Sequence, residues 1–236
     1  MANAAAILDA QGIPFTRLDA VHGKTLRPAV LNRVYDPRAN RARARHPLVL
    51  AEIGCYLSHI AAWQAIADGD APGGFIFEDD FAASGDLASV LAALSRDAAG
   101  DWDMVKLFAF DTHPRVVSQR ALGDGHRLVI PYRVPTCLLG YGLTQAAARH
   151  LAGQALPFFR PVDEDQKFFW ETGLRVALVL PTPLRVGDQQ TVTGTIGSAR
   201  RAAGKSGLAS LLRGLRYQIG YRARLHWHRL RGGAGQ

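Results

Sequence analysis

Residues 52–77 constrain the fold more than any other part of this chain. Ile53, Leu57, Ile60 and then Gln64 and Ala67 mark one stripe at steps of three and four. That spacing predicts an amphipathic helix over 52–67. Asp68-Gly69-Asp70 and Pro72-Gly73-Gly74 end it. Phe75-Ile76-Phe77 then reads as a short buried strand that runs straight into three acids, Glu78, Asp79 and Asp80. A helix handed across a Gly/Pro break to a buried strand is a building unit of layered α/β folds.

The same alternation continues without an internal repeat. Residues 3–11 read as a helix closed by Gly12, and 15–21 as a short strand before a turn at Gly23. Residues 32–47, with five arginines and two prolines, read as a solvated loop suited to anions. Helices are predicted over 86–96, 145–152 and from Asp163 to near Gly173, where Asp163 and Gln166 form a plausible capping pair. Strands are predicted over 103–110, 127–130, 137–142 and 174–180, the last closed by Pro181. The expected fold class is therefore α/β, a sandwich with a mainly parallel sheet, binding ligands beyond the carboxyl ends of its strands.

The charge divides the chain into two parts. The net charge is +8, yet no acid follows Asp188, whereas nine basic residues lie between Arg200 and Arg231. Without those nine, the first 188 residues carry nineteen basic and twenty acidic side chains, a net −1. We expect a main domain over 1–190 and a basic, helical tail over 191–236. Leu208, Leu211, Leu212, Leu215, Tyr217, Ile219 and Leu225 suit one apolar face of that tail, although Gly214 and Gly220 weaken its helix. Such a face either sinks into an anionic membrane surface, with Tyr221 and Trp227 at headgroup depth, or packs on the main domain. Nucleic-acid binding is not expected, because the body is neutral and the tail lacks paired aromatic platforms. The N-terminus has no basic segment ahead of an apolar run, and no run approaches the length of a membrane span. A cytoplasmic protein, peripheral on the inner face of the membrane, is the expectation. Cys55 and Cys137 sit in apolar surroundings outside any CxxC pair, which reads as two buried free thiols rather than a structural zinc site.

Two stretches carry chemistry. Three consecutive carboxylates after a buried strand raise one another's pKa unless a cation neutralises them. Mg²⁺ or Mn²⁺ prefers such hard oxygens and bridges them to a diphosphate. Glu78, Asp79 and Asp80 are the candidate metal ligands, and a solvated acidic loop is the alternative. The second stretch is Glu52-Ile53-Gly54-Cys55-Tyr56-Leu57-Ser58-His59. Glu52 and His59 are seven apart and share a helical face. Gly54 costs stability near a helix start unless something approaches it closely. These residues line a pocket, or else Glu52 complements the helix dipole and His59 is a satisfied core histidine.

Together the two stretches resemble glycosyltransferase family 25. The matching residues run in order: Glu52-Ile53-Gly54-Cys55-x-Leu57-Ser58-His59-x-x-x-Trp63, Phe77-Glu78-Asp79-Asp80, and Asp101-Trp102-Asp103-x-x-Lys106-Leu107. Phe15-x-x-Leu18-Asp19-Ala20-Val21-x-Gly23 precedes them; Tyr141-Gly142-Leu143-Thr144 and Pro161-Val162-Asp163 follow. The resemblance spans residues 13–185. It implies a GT-A-like nucleotide-binding fold, a UDP-sugar donor, a divalent metal (Mn²⁺ or Mg²⁺) and transfer of a hexose, galactose first, with inversion. Glu52, Gly54, Ser58, His59 and Lys106 become candidate donor-binding residues. An inverting transfer needs a base for the acceptor hydroxyl, for which Asp163 is the first candidate and Glu164 the second; the alternative for Asp163 is a helix cap. The implied acceptor is a lipid-linked or cell-surface saccharide such as lipooligosaccharide. The resemblance implies a strand ahead of the first helix; the sequence opens within that helix, so the expectation is a sheet position that another segment has to fill. A sugar-nucleotide-binding protein without turnover is therefore the rival reading. A phosphate-ester hydrolase is disfavoured because no second acidic cluster with histidines is present.

Overall fold

A computed structural model describes residues 2–187 and 208–232 of the chain. The helices are α1 (Ala2–Ala10), α2 (Pro28–Val34), α3 (Pro37–Arg43), α4 (Leu50–Asp68), α5 (Leu87–Ser95), α6 (Gln145–Gln154), α7 (Val162–Asp165), α8 (Phe169–Thr172) and α9 (Leu208–Gly232). The strands are β1 (Gly73–Phe77), β2 (Phe81–Ala83), β3 (Met104–Lys106), β4 (Val116–Gly123), β5 (His126–Pro131), β6 (Gly140–Thr144), β7 (Val176–Leu180) and β8 (Leu184–Val186).

The α/β class stands, but the sheet is not mainly parallel. Its order is β1-β6-β3-β7-β5-β4, and only β3 and β7 pair in parallel. Two features that alternation does not reveal account for this. β6 inserts antiparallel between β1 and β3, which run the same way. A tight hairpin through Asp124 and Gly125, both at positive φ, adds β5 and β4 antiparallel at the far edge. The sheet separates two apolar cores. One lies under α4 and α6 and holds Tyr56, Trp63, Tyr141 and Leu151. The other lies under α1 and α5 and holds Leu8, Phe81, Leu91 and Val105. β2 and β8 form a separate two-stranded ribbon.

Gly140 and Gly142 flank Tyr141 on β6. A Cβ at Gly140 would lie 2.2 Å from Leu184, and one at Gly142 would lie 2.8 Å from Phe75. The bare face of the strand makes room for the strand-end aromatics, while Tyr141 points into the opposite core.

Other expectations shift locally. Residues 15–21 are not a strand; Ser58 Oγ accepts from the Val21 amide at 2.8 Å and fastens the segment to α4. The arginine-rich stretch 32–47 is largely helical. Pro28 and Pro37 start α2 and α3, where a missing N–H costs nothing, and Asp36 caps α3 by accepting from Arg38 and Ala39. The strand expected over 103–110 is confined to β3, and that expected over 137–142 begins only at Gly140. The tail is helical, and α9 lies against the body. Tyr217, Tyr221 and Leu225, one turn apart, are buried in the α4 core. Arg213 donates to the carbonyls of Asn40 and Ala44, Arg216 to those of Arg41 and Ala42, and Arg229 to those of Pro131 and Tyr132. Tyr221, expected at headgroup depth, is thus an inward core residue. Residues 191–207, where the tail was expected to begin, lie outside the described residues.

Candidate functional site

β1 and β3 run the same way and β6 runs against both. The carboxyl ends of β1 and β3 and the start of β6 therefore share one sheet edge. Glu78 follows β1, Lys106 closes β3, and Cys137 leads into β6. The Glu78 amide donates to the Leu139 carbonyl at 3.0 Å, which locks the acidic turn to the start of β6. Lys106 is fully buried, and its ammonium donates to the Pro135 carbonyl. Burial lowers its pKa to about 8, against the raising influence of Cys137, Asp163 and Glu78. Burial pushes the Cys137 thiol up to about 11, so it stays protonated at neutral pH. Cys137 adopts a left-handed backbone, φ 73°, and its amide donates to Asp163 Oδ2 at 3.3 Å. Asp163 is half-buried, and its Oδ1 accepts from the Glu164 amide at 2.9 Å. Pro161, not Asp163, occupies the N-cap of α7, and the expected pairing of Asp163 with Gln166 is not formed. The edge thus gathers Glu78, Lys106, Cys137 and Asp163 in one electrostatic neighbourhood.

Glu164 points elsewhere. It is buried, and its Oε2 accepts from the Tyr217 hydroxyl of α9 at 3.0 Å. Neighbouring Asp165 accepts from Tyr56 at 2.6 Å and from buried Arg160 at 2.8 Å, and Arg160 also reaches Glu171. This network knits α4, α7, α8 and α9 together.

The residues of α4 divide between two tasks. Glu52 closes the helix start, accepting from the Val49 amide at 2.8 Å. A Cβ at Gly54 would lie 2.4 Å from the Val21 carbonyl, so the close approach anticipated at this glycine is made by the chain itself. Ser58 holds the same 21–23 segment. His59 faces the site. Its Nε2 lies 3.5 Å from Glu78, and its Nδ1 lies 2.8 Å from the Tyr141 hydroxyl, which also accepts from Trp63 Nε1 at 2.8 Å.

The three acids do not converge on one point. Among the described residues, the single group of three potential metal ligands is Cys55, His59 and Glu78, whose donor atoms lie within 4.8 Å of one another. Asp79 is exposed on the turn. Asp80 is half-buried, with its Oδ1 shielded from solvent, and its carbonyl accepts from the Gly187 amide at 2.8 Å. A carboxylate oxygen shielded at a strand end suits a hard cation such as Mg²⁺ or Mn²⁺. Sequence reasoning missed Tyr141 and Cys137. The alternation Gly140-Tyr141-Gly142 was the available signal for Tyr141, since it marks a strand with one functional face.

The domain is layered α/β and collects a carboxylate, an ammonium and a second carboxylate at one strand-end edge, the position at which open α/β sheets bind ligands. The chain belongs to glycosyltransferase family 25, described as an LPS biosynthesis protein, which matches residues 3–165. It is similar to "Inactive glycosyltransferase 25 family member 3" of Mus musculus, 28% identical over 62% of this chain and 26% of that protein. It is also similar to "Procollagen galactosyltransferase 1-A" of Xenopus laevis, 29% identical over 64% of this chain and 26% of that protein. "Procollagen galactosyltransferase 2" of Mus musculus is 28% identical over 65% of this chain and 25% of that protein. The chain spans about a quarter of the length of these relatives.

Proposed function

We propose that this chain is an inverting glycosyltransferase that moves a hexose, galactose first, from a UDP-sugar to a cell-surface or lipid-linked saccharide. Family membership supports the reaction class, and the family's description as an LPS biosynthesis protein suggests the acceptor. Two relatives bear names that specify galactosyl transfer. The observation that carries the reading is the edge cluster, where Glu78 and Asp163 act on Lys106 in one electrostatic neighbourhood beyond the strands of this α/β domain.

Asp163 is the base for the acceptor hydroxyl, half-buried and oriented by the Cys137 and Glu164 amides. Lys106 supplies positive charge to the neighbourhood in which the donor diphosphate departs. Asp80, with Asp79, would hold a Mn²⁺ or Mg²⁺ ion, which when bound offsets charge on the leaving diphosphate. Gly54 and Ser58 act on the donor side through the 21–23 segment that they hold, and Glu52 does so by closing the start of the same helix. Glu164, second candidate for the base, instead ties α9 to the body.

Incubation with labelled UDP-galactose, UDP-glucose, UDP-N-acetylglucosamine and UDP-N-acetylgalactosamine, with and without Mn²⁺, tests the reading. Metal-dependent transfer or hydrolysis of one donor is expected. Donor binding without turnover under all conditions would favour the binding-protein rival, since some relatives carry names that mark them as inactive.

The outward face of α9 favours a site of action at a membrane. Leu212, Leu215, Ile219 and Leu230 are exposed on the side opposite Tyr217, Tyr221 and Leu225. The helix contains six arginines and no acid. That combination of apolar stripe and positive charge suits an anionic lipid surface, on which enzyme and lipid-linked acceptor share one plane.

A further inference from the structure

We propose that Cys55, His59 and Glu78 form a binding site for a borderline-soft divalent cation, Zn²⁺ first, separate from the hard-cation position at Asp79 and Asp80. Cys55 and His59 stand four apart on α4 and so project from one face, the spacing by which a single helix presents two ligands to one ion. Glu78 approaches from the end of β1. The three donor atoms already lie within 4.8 Å of one another, and His59 Nε2 and Glu78 Oε1 are 3.5 Å apart. Tetrahedral zinc with bonds of about 2.0–2.3 Å places neighbouring ligand atoms about 3.3–3.6 Å apart. The His–Glu separation needs no change, and the thiolate needs a side-chain adjustment of at most about 1.5 Å to meet the same geometry.

The surroundings of His59 support the assignment. A ligating histidine uses one ring nitrogen and needs a partner for the other. Here the Tyr141 hydroxyl sits 2.8 Å from Nδ1. Trp63 Nε1, which can only donate, fixes that hydroxyl at 2.8 Å. In the tautomer with the proton on Nδ1, donated to Tyr141, Nε2, 3.5 Å from Glu78, keeps its lone pair for the ion. Tyr141 and Trp63 are both fully buried, so the ring is held in place before any ion arrives. A donor set of one thiolate, one imidazole and one carboxylate selects Zn²⁺ over Mg²⁺ or Mn²⁺. Three protein ligands leave one position open, and binding releases the proton of the Cys55 thiol.

Metal-free protein titrated with Co²⁺, in the absence of donor, tests this directly. One equivalent should produce the intense visible bands of a tetrahedral site and a near-ultraviolet thiolate-to-cobalt charge-transfer band, and Zn²⁺ should displace both. Cys55→Ser should lose the charge-transfer band, and His59→Gln and Glu78→Gln should bind much more weakly. Tyr141→Phe should weaken binding by about 10–100-fold. Asp80→Asn should leave the spectrum unchanged. Absence of the charge-transfer band in the unaltered chain, or its survival in folded Cys55→Ser, overturns the proposal. If Cys55→Ser fails to fold, the Glu78→Gln titration decides alone, and unchanged affinity there overturns it. Because no sugar nucleotide is present, failure of this site is distinguishable from failure of the transferase reading.

Discussion

Single residues carry the clearest separation of roles. Asp163 and Glu164 are adjacent, yet one faces Lys106 and Cys137 while the other holds Tyr217. Asp163→Asn should lower kcat by about 10²–10⁴-fold with an unchanged melting temperature, as loss of a general base does. Glu164→Gln should do the reverse, lowering the melting temperature and sparing kcat, because it weakens a buried hydrogen bond between body and helix. Equal kinetic losses in the two variants would refute this division. Asp80→Asn removes an anionic oxygen shielded at the strand end. It should abolish metal-dependent transfer while leaving the fold intact, and near-normal turnover would exclude Asp80 as a ligand.

Elements explain what was legible in the sequence. The α4–β1 pair is legible because the Gly/Pro break and the apolar strand are local signals, but the buried face of α4 runs through Ile53, Tyr56, His59 and Trp63, whereas Leu57 and Ile60 are half-buried and Gln64 is exposed. The strand order was not legible, since β6 reaches its place between β1 and β3 through contacts distant in sequence. β4 escaped notice as a polar edge strand, and β2 and β8 as three-residue strands too short to show a period. Glu78 and His59 were singled out, but their meeting depends on how α4 lies over β1, as does the inclusion of Cys55. Gly54 was noticed for the right physical reason, yet the approaching atoms belong to Val21 and Gly23. Gly54→Ala should therefore displace the 21–23 segment and cost about 1–3 kcal/mol, as overpacking against backbone does. Chemical denaturation measures it, and a cost near zero would show that the segment yields freely.

Two properties belong to the whole molecule. The first is its response to acid. Hydrogen bonds from Arg120 hold the Asp101 carboxyl low, and those from Ser84 and His126 hold Asp86 low. A carboxyl lowered in the folded state stabilises fully above about pH 4, and that contribution fades as pH falls through the folded value. Arg120→Met should therefore move the acid-unfolding midpoint to higher pH, and it should also lower stability at neutral pH, because it leaves the nearly buried Asp97 carboxylate without this partner. An unmoved midpoint would mean that Arg120 contributes nothing to acid resistance. The second is attachment. No described helix is long and apolar enough to cross a membrane. The full chain should co-sediment with anionic but not neutral vesicles at low salt, and salt should release it. A variant carrying Leu212→Gln and Ile219→Gln on the outward face of α9 should remain in the supernatant with its melting temperature unchanged. Equal pelleting of the two proteins would exclude that face as the anchor.

β6 acts as a shim whose thickness is set by what it leaves out. With hydrogen alone at Gly140 and Gly142, its neighbours close to within reach of its backbone; a methyl at Gly142 would press on Phe75 and on Val105, 3.0 Å away. Those two side chains belong to β1 and β3, whose far ends carry Glu78 and Lys106. A methyl at Gly142 would have to displace side chains of the two strands whose ends hold the carboxylate and the ammonium. On the proposed site, an alanine at Gly142 would act as a change of gauge, by shifting Phe75 and Val105, rather than as a lost contact.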